Sequence, residues 1–322
     1  HGHEMNKYSP LRFTEKVLER RSDLRPLVGN KADSPEYQIK NIIFFDGFLL
    51  LNRNFNETRV TYLENGHWLL KYTDLSIFLG LYNGIAIYAN NIGLNKKETS
   101  HEKLENLLIK KIQKDKLIKL SYFGSLRKDM LDISYDDAAL AGTGRALINW
   151  NLDNIYCGKC SLPLKSINSG WEAYCSTCKR SHFPRTDPVV IILITNGDQT
   201  LLGRSHQFPN KLYSCLAGFI EPGETLDMAA RREVLEEVGI NIHNIEYVTN
   251  QPWPFPSSLM IGLKAETDQI SLNIDKNELE DAVWLSKKDL KNLLTSNLKD
   301  MEPARPGTIA RYLLESWVQN SI

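Results

Sequence analysis

The segment that decides the fold reads Gly218-Phe-Ile-Glu-Pro-Gly-Glu224-Thr-Leu-Asp-Met-Ala-Ala-Arg-Arg232-Glu233-Val-Leu-Glu236-Glu237-Val-Gly239-Ile240. Its second half predicts a helix from about Leu226 to Val238. On that helix Glu233, Glu236 and Glu237 are three and four residues apart and share one face. Three carboxylates at this spacing repel one another unless a cation lies among them. Oxygen ligands of this kind favour magnesium or manganese, which also bind diphosphate oxygens.

The residues around the three glutamates are suited to support them. Pro222-Gly223 bends the preceding loop, and the spacing predicts an ion pair between Glu224 and Arg232. Gly239 can adopt the left-handed conformation that ends a helix. An acidic helical face taken alone is more often solvated surface than a metal site. The interpretation therefore depends on the segment as a whole.

Read together, the fixed positions match the Nudix box: glycine, five residues, glutamate, seven residues, arginine-glutamate, an aliphatic, one residue, glutamate-glutamate, one residue, glycine, an aliphatic. The later segment Gln251-Pro-Trp-Pro-Phe-Pro-Ser-Ser258 is similar to a signature of the NADH pyrophosphatase subfamily, which the segment Pro306-Gly-Thr-Ile-Ala310 also resembles. The similarity is strong over about 141–321. It is faint over the first part of the chain.

The resemblance implies an α+β protein with three domains. Residues 5–150 are predicted to form an amino-terminal α+β domain, residues 151–185 a zinc ribbon, and residues 186–322 a catalytic Nudix α/β/α sandwich. In the first region the sequence predicts strands at Ile42–Phe45, Phe48–Leu51, Trp68–Lys71 and Ile85–Tyr88, with a turn at Asp46-Gly47. A helix within 96–119 should pack through Leu104, Leu107, Leu108 and Ile112, and another is predicted over 136–151.

Four of the five cysteines form two Cys-x-x-Cys pairs, Cys157 with Cys160 and Cys175 with Cys178, separated by fourteen residues. This arrangement predicts one tetrahedral zinc that is structural, because four sulfur ligands leave no open position. The alternative to a zinc site is that the two pairs are redox motifs or that the four cysteines are free buried thiols. A ribbon that grips nucleic acid through neighbouring lysines and arginines is a second functional alternative.

The resemblance also implies roles for particular residues. Glu233, Glu236 and Glu237 would bind magnesium or manganese, with Glu237 or its neighbour activating water. Glu278 would be a distant metal ligand. Seven further positions would contact the dinucleotide: Phe183, Ala217, Phe219, Gln251, Trp253, Ser258 and Ala310. Ala217 would also contact the metal. Trp253 and Phe219 could sandwich the nicotinamide ring. The family usually has tyrosine where Phe183 stands, so a hydroxyl is missing there.

The implied activity is hydrolysis of NADH or NAD to nicotinamide mononucleotide and AMP, and bacterial members also remove NAD caps from RNA. Lysine plus arginine equal aspartate plus glutamate at 39 each, so no bulk charge draws in nucleic acid or an anionic membrane. That balance favours the free dinucleotide over capped RNA. We expect a homodimer in a reducing, cytoplasmic setting. The alternative from another class is a Nudix-fold dinucleotide sensor that does not cut its ligand and whose zinc ribbon binds a partner or nucleic acid.

Overall fold

A computed structural model describes residues 10–26, 36–94, 100–209, 211–295 and 300–322. The chain divides into two compact units. Of the described residues, the amino-terminal unit comprises those within 13–185 and 254–257, and the carboxy-terminal unit comprises 10–12 and those within 186–253 and 258–322. The division into three domains stays a prediction. Within the described ranges no helix is long and apolar enough to cross a membrane.

The amino-terminal unit contains a seven-stranded sheet, a three-stranded sheet and α-helices. The strands of the large sheet are β1 (Ile39–Phe45), β2 (Phe48–Asn54), β3 (Glu57–Val60), β4 (Leu63–Glu64), β5 (Thr73–Tyr82), β6 (Ile85–Ile92) and β7 (Ser121–Gly124). The helices are α1 (His101–Lys114), α2 (Leu126–Asp129) and α3 (Tyr135–Asp153). Strand order is β3-β2-β1-β6-β5, with β4 paired to β1 and β7 paired to β2. The small sheet consists of β8 (Lys165–Ile167), β9 (Glu172–Cys175) and β10 (Arg180–His182).

Both faces of the large sheet are covered because alternate residues of β1 point to opposite sides. Ile43 and Phe45 share a core cluster with α1 residues Leu104 and Leu108. On the other face α3 lies so close that a Cβ at Gly144 would be 2.9 Å from the Cβ of Ala89. The small residue therefore brings α3 against the sheet.

The predicted strands at Ile42–Phe45, Phe48–Leu51 and Ile85–Tyr88 and the helix over 136–151 are confirmed. The strand predicted at Trp68–Lys71 is wrong, because Trp68–Tyr72 is a 3-10 turn. The His67 side chain accepts the Leu69 amide at 3.2 Å, and the Trp68 indole donates to Asp115 at 2.7 Å. These polar contacts hold the apolar run in a turn.

The helix predicted within 96–119 is shorter in the structure, because α1 spans His101–Lys114 and Asp115 ends it. Residues 96–99 lie outside the described ranges. Leu104, Leu108 and Ile112 are buried as predicted, whereas Leu107 is largely exposed. Positions four residues apart define the packed stripe of α1, and Leu107 falls at its margin.

The carboxy-terminal unit is built on a six-stranded sheet. Its strands are β11 (Asp187–Asn196), β12 (Gln199–Ser205), β14 (Leu216–Phe219), β15 (His243–Trp253), β16 (Ser258–Glu266) and β17 (Leu279–Ser286). A separate pair joins β13 (Leu212–Tyr213) and β18 (Glu302–Pro303), and the helices are α4 (Leu226–Val238), α5 (Lys287–Thr295) and α6 (Ile309–Val318). Strand order is β15-β16-β11-β12-β17, with β14 paired to β11.

Helices cover both faces of this sheet, as predicted for the α/β/α sandwich. Val190 and Ile192 of β11 share one core cluster with α4 residues such as Val234. Ile191 and Leu193 share another with residues of α5 and α6. The continuous apolar run of β11 follows from burial on both sides.

The two sheets share one topology. The order β5-β6-β1-β2 of the first matches β15-β16-β11-β12 of the second, and the central pairs β1 with β6 and β11 with β16 are both parallel. In both units a short strand pairs with the central strand, β4 with β1 and β14 with β11. The segments that follow these short strands differ: the 13-residue helix α4 precedes β15, but only the five-residue turn Trp68–Tyr72 precedes β5.

Candidate functional site

The three glutamates predicted to bind metal lie on the last turns of α4, which spans Leu226–Val238 as predicted. Thr225 caps its first turn by accepting the Met228 amide at 3.2 Å. Gly239 ends the helix in the left-handed conformation, with φ of 71°. A Cβ there would also lie 2.9 Å from the Cβ of Asn273, so close approach requires glycine as well.

That close approach joins α4 to the loop before β17. The Asn273 amide donates to the carbonyl of Val238, and the Asp275 amide donates to the carbonyl of Glu237, both at 2.9 Å. The same loop carries Glu278, whose charge acts on Glu233 and Glu237. The structure therefore brings the distant glutamate predicted from the sequence to the cluster.

Arg232 organises the loop that precedes α4. Its Nε and Nη2 donate to the two carboxylate oxygens of Glu224 at 2.6 and 2.8 Å, which confirms the predicted ion pair. Nη2 also donates to the carbonyl of Phe219 at 3.0 Å. On the other side Nη1 donates to Glu233 at 2.9 Å and to Glu236 at 3.1 Å. One guanidinium thus links the loop, strand β14 and two of the helical glutamates.

Glu233 lies against the backbone of β14. A Cβ at Gly218 would be 2.0 Å from the carboxyl carbon of Glu233, so the first glycine of the segment leaves the space that this carboxylate occupies. Burial raises the pKa of Glu233 and the bond from Arg232 lowers it, while the charges of Glu236 and Glu278 raise it further. The spacing pattern alone did not reveal that Gly218 makes this contact.

Glu237 is the most deeply placed member of the cluster, with 6% of its surface exposed. Its Oε2 atom is buried and has no hydrogen-bond partner. Burial, together with the charges of Glu233, Glu278 and Glu236, raises the pKa of Glu237 to about 8. Glu236, by contrast, has a side chain that is 56% exposed.

These observations fit a divalent cation. A buried carboxylate oxygen without a donor, surrounded by other carboxylates, is costly unless a positive charge compensates it. The available ligands are all oxygens, which suits hard divalent cations. Glu233, Glu236, Glu237 and Glu278 are thus the residues that could hold such an ion.

Several residues predicted to contact a dinucleotide lie on the carboxy-terminal sheet. Phe219 ends β14 and is 60% exposed, so its ring is free to meet a planar group. Trp253 and Ser258 are half-buried partners at the ends of β15 and β16. Ala217 is half-buried on β14 opposite Ile191. Their roles stay predictions, including the metal contact of Ala217.

Gln251 requires a correction. Its side chain is completely buried, and its amide donates to the carbonyls of Arg12 at 2.9 Å and Gly307 at 2.8 Å. Its carbonyl accepts the Ile309 amide at 3.0 Å. Gln251 therefore anchors the start of α6 and cannot touch a substrate through its side chain. Ala310, next in that helix, is also buried in the core, which leaves its predicted dinucleotide contact without support.

The four cysteines of the two pairs meet in the amino-terminal unit, as predicted. Their Sγ atoms all lie within 4.8 Å of one another, and Cys160 and Cys175 are 3.6 Å apart. Backbone amides of Cys160 and Lys159 lower the pKa of the Cys157 thiol, which favours a thiolate. This cluster fits a structural zinc. Phe183, just beyond β10 in the same unit, is 64% exposed.

Two family models match the chain. The NUDIX domain matches residues 185–312, and the NADH pyrophosphatase-like rudimentary NUDIX domain matches residues 40–150. The second match corresponds to the unit in which a short turn replaces the glutamate helix.

Three relatives illustrate the similarity. The NAD-capped RNA hydrolase NudC of Salmonella heidelberg is 39% identical over 195 residues, which cover 61% of this chain and 72% of the relative. The NudC of Pseudomonas entomophila is 39% identical over 60% of this chain and 66% of its own length. Human NAD-capped RNA hydrolase NUDT12 is 36% identical over 59% of this chain. The chain spans only 66% and 44% of the lengths of the last two relatives.

Proposed function

Because the chain belongs to the Nudix family, whose hydrolases use divalent metals, we propose that it hydrolyses the diphosphate bond of NADH and NAD to AMP and nicotinamide mononucleotide, which is reduced when it comes from NADH and oxidised when it comes from NAD. The observation that carries the proposal is the glutamate cluster of α4. Its deepest member, Glu237, has a buried oxygen without a partner, as expected of a group prepared for a cation.

Magnesium or manganese is proposed as the ion, held by Glu233, Glu236, Glu237 and Glu278. Bound divalent ions would neutralise the charge of the diphosphate and lower the pKa of an attacking water. Glu237 is proposed to hold the ion through Oε2, the oxygen that has no hydrogen-bond partner, and to take the proton of the attacking water through its other carboxylate oxygen. Arg232 keeps Glu233 and Glu236 in place through its Nη1 atom.

Substrate recognition is assigned to the aromatic residues of the sheet rather than to the glutamates. A metal-bound diphosphate has the same structure in many nucleotide derivatives. To distinguish NADH from these derivatives, the protein therefore needs a surface that contacts the nicotinamide ring. The exposed Phe219 and the half-buried Trp253 can offer such faces. Ser258, paired with Trp253, supplies a hydroxyl nearby in the same sheet.

The relatives named NAD-capped RNA hydrolases support a second substrate, RNA that carries an NAD cap. The chemistry at the diphosphate would be the same for both substrates. We also propose a homodimer with a structural zinc at the four cysteines, in a reducing compartment such as the cytoplasm, where thiolates persist.

A product analysis tests the proposal. The protein is incubated with NADH, NAD, ADP-ribose and NAD-capped RNA at matched concentrations, with magnesium or manganese, and products are separated by chromatography. We expect AMP from both NADH and NAD, with reduced nicotinamide mononucleotide from NADH and oxidised nicotinamide mononucleotide from NAD, and 5′-monophosphate RNA from the capped RNA. Glu237→Gln is the matched control and should form almost no product.

The rival function is a sensor that binds the dinucleotide without cutting it. The complete set of acidic residues around Glu237 disfavours it, because binding a diphosphate needs only the cation, whereas hydrolysis also needs a carboxylate that accepts the proton of the attacking water. Tight binding of NADH by the wild-type protein with no product in either metal would establish the sensor and exclude the hydrolase.

A further inference from the structure

The turn between β15 and β16 is held by contacts that the function above does not explain. Residues 254–257 form this turn and pack as part of the amino-terminal unit. The turn directly follows Trp253, which pairs with Ser258 across the strand ends. Its conformation therefore affects where these two side chains lie.

One face of α3 receives the turn. A Cβ at Gly142 would lie 2.9 Å from the ring of Phe13 and 3.3 Å from the ring of Pro254, so the missing side chain makes room for both rings. Phe13 also meets Phe255 edge to face, with ring centroids 5.8 Å apart. Arg145 follows Gly142 by three residues and so lies on the same side of the helix.

Arg145 makes two contacts with consecutive residues of the turn. Its Nη1 donates a hydrogen bond to the carbonyl of Pro254, and its guanidinium lies 4.9 Å from the ring centroid of Phe255. Burial and the charge of nearby Arg127 lower the pKa of Arg145. The position is thus costly for a cation, and the two contacts with the turn offset that cost.

The turn also borders open space. A cavity of about 440 Å³ is lined by Phe255 and Pro256, together with Asp46–Phe48, Ser125–Arg127 and Arg145. Close packing does not fix the turn on that side. The hydrogen bond from Arg145 is directional and its guanidinium lies over the Phe255 ring, so the two contacts can fix the conformation of the turn where packing does not.

From this geometry we propose that Arg145 is a positioning residue which, with Gly142, clamps the Pro254–Ser257 turn and thereby sets the substrate-facing placement of Trp253 and Ser258. The specificity part of this inference rests on the proposed function; the clamp itself does not. Arg145 need not touch the substrate, because its effect passes through the turn.

The first test measures amide hydrogen exchange at Phe255, Ser257 and Ser258 in the full chain. Arg145→Met keeps an unbranched, flexible side chain but removes the donor and the charge, and should speed exchange at these amides on the order of tenfold. Arg145→Lys can still donate to the carbonyl and should fall between. Arg53→Met is the control, since Arg53 also stacks on a ring, that of Tyr122 at 5.3 Å, in the same unit. Unchanged exchange in Arg145→Met would overturn the clamp.

The second test separates positioning from folding by steady-state kinetics. Arg145→Met should raise KM for NADH about fivefold or more, with kcat changed less than about twofold and ADP-ribose hydrolysis unaffected. In a Trp253→Ala background the same substitution should raise KM for NADH much less, because only the part of its effect that passes through Ser258 remains. Equal losses for both substrates, or a full effect in that background, would refute the specificity role. A wild-type protein that leaves NADH intact would refute the proposed function, whereas exchange would still decide the clamp.

Discussion

Replacing Glu237 by glutamine is expected to destroy activity and to stabilise the metal-free protein. The pKa of Glu237 is raised from its ordinary value of 4.5 to about 8 by burial and by neighbouring carboxylates. Between these values the folded state binds more protons than the unfolded state, so stability falls as pH rises. Glutamine carries no charge and escapes this penalty.

The size of the effect follows from the two pKa values. The raised pKa of Glu237 lowers the free energy of unfolding by about 1 kcal/mol at pH 5 and by about 3 kcal/mol at pH 7. A buried amide has costs of its own, but these do not depend on pH. The stability gain of Glu237→Gln over wild type should therefore be about 2 kcal/mol larger at pH 7 than at pH 5.

Urea unfolding at both pH values measures this difference. The buffers contain no added magnesium or manganese, and zinc content is verified so that the cysteine cluster is unchanged. Glu236→Gln is the matched control, because that side chain is 56% exposed and its replacement should change stability by less than about 1 kcal/mol at either pH. Magnesium should stabilise the wild type more than Glu237→Gln.

Turnover of NADH by Glu237→Gln should fall at least on the order of a hundredfold, because the amide neither holds a cation as a carboxylate does nor accepts a proton. Equal stability differences at pH 5 and pH 7 would show that Glu237 is not the strained carboxyl inferred from its burial. Near-normal turnover in the folded variant would remove it from the mechanism.

Three further substitutions test other parts of the site. Cys157→Ser should lower thermal stability and zinc content, measured by metal analysis against about one zinc per chain in the wild type, without a specific effect on the chemical step; a stable, active wild-type protein without zinc would contradict this. Gly218→Ala places a Cβ 2.0 Å from the carboxyl carbon of Glu233 and should lower kcat about tenfold or more. The control Gly158→Ala, whose Cβ meets nothing within 4 Å, should leave kcat unchanged, and equal kcat in both variants would show that the contact is unimportant. Trp253→Ala should weaken NADH hydrolysis by roughly 1–3 kcal/mol in kcat/KM while sparing ADP-ribose, and a uniform loss on both substrates would make Trp253 a structural residue.

The sequence pattern within a segment predicts the structural features that depend on interactions within that same segment. The bounds of α4 follow from the cap at Thr225, the apolar spacing and the terminal Gly239, all of which lie within the segment itself. The continuous apolar stretch of β11 is likewise a local feature, because burial on both faces of the sheet requires apolar residues at successive positions. Glu278 was expected near the cluster from the resemblance, and the hydrogen bonds to the end of α4 explain its approach.

Contacts between distant parts of the chain explain the failures. The 3-10 turn at Trp68–Tyr72 involves Asp115, which lies 47 residues beyond Trp68. Gln251 was assigned to the substrate because it begins a recognised motif, yet its amide binds carbonyls 239 and 56 residues away. The hydrophobic periodicity of one segment gives no information about hydrogen-bond partners that lie so far away in the chain. For the same reason the sequence around Arg145 gives no sign of its role, since its partners lie 109 and 110 residues further along the chain.

The shared topology of the two sheets shows why the chemistry can reside in only one of them. Placing three carboxylates on one helical face requires glutamates three and four residues apart, with turns before them to anchor the helix. The 13 residues of α4 provide this, whereas the five residues of the Trp68–Tyr72 turn complete little more than one turn and contain no acidic residue. An acidic residue that contacts this turn is Asp115, which accepts hydrogen bonds from Trp68 and His67. These bonds, chiefly the one from Trp68, lower the pKa of Asp115. A carboxylate stabilised by protein donors has little need of a cation, unlike the buried Glu237, whose Oε2 has no such donor.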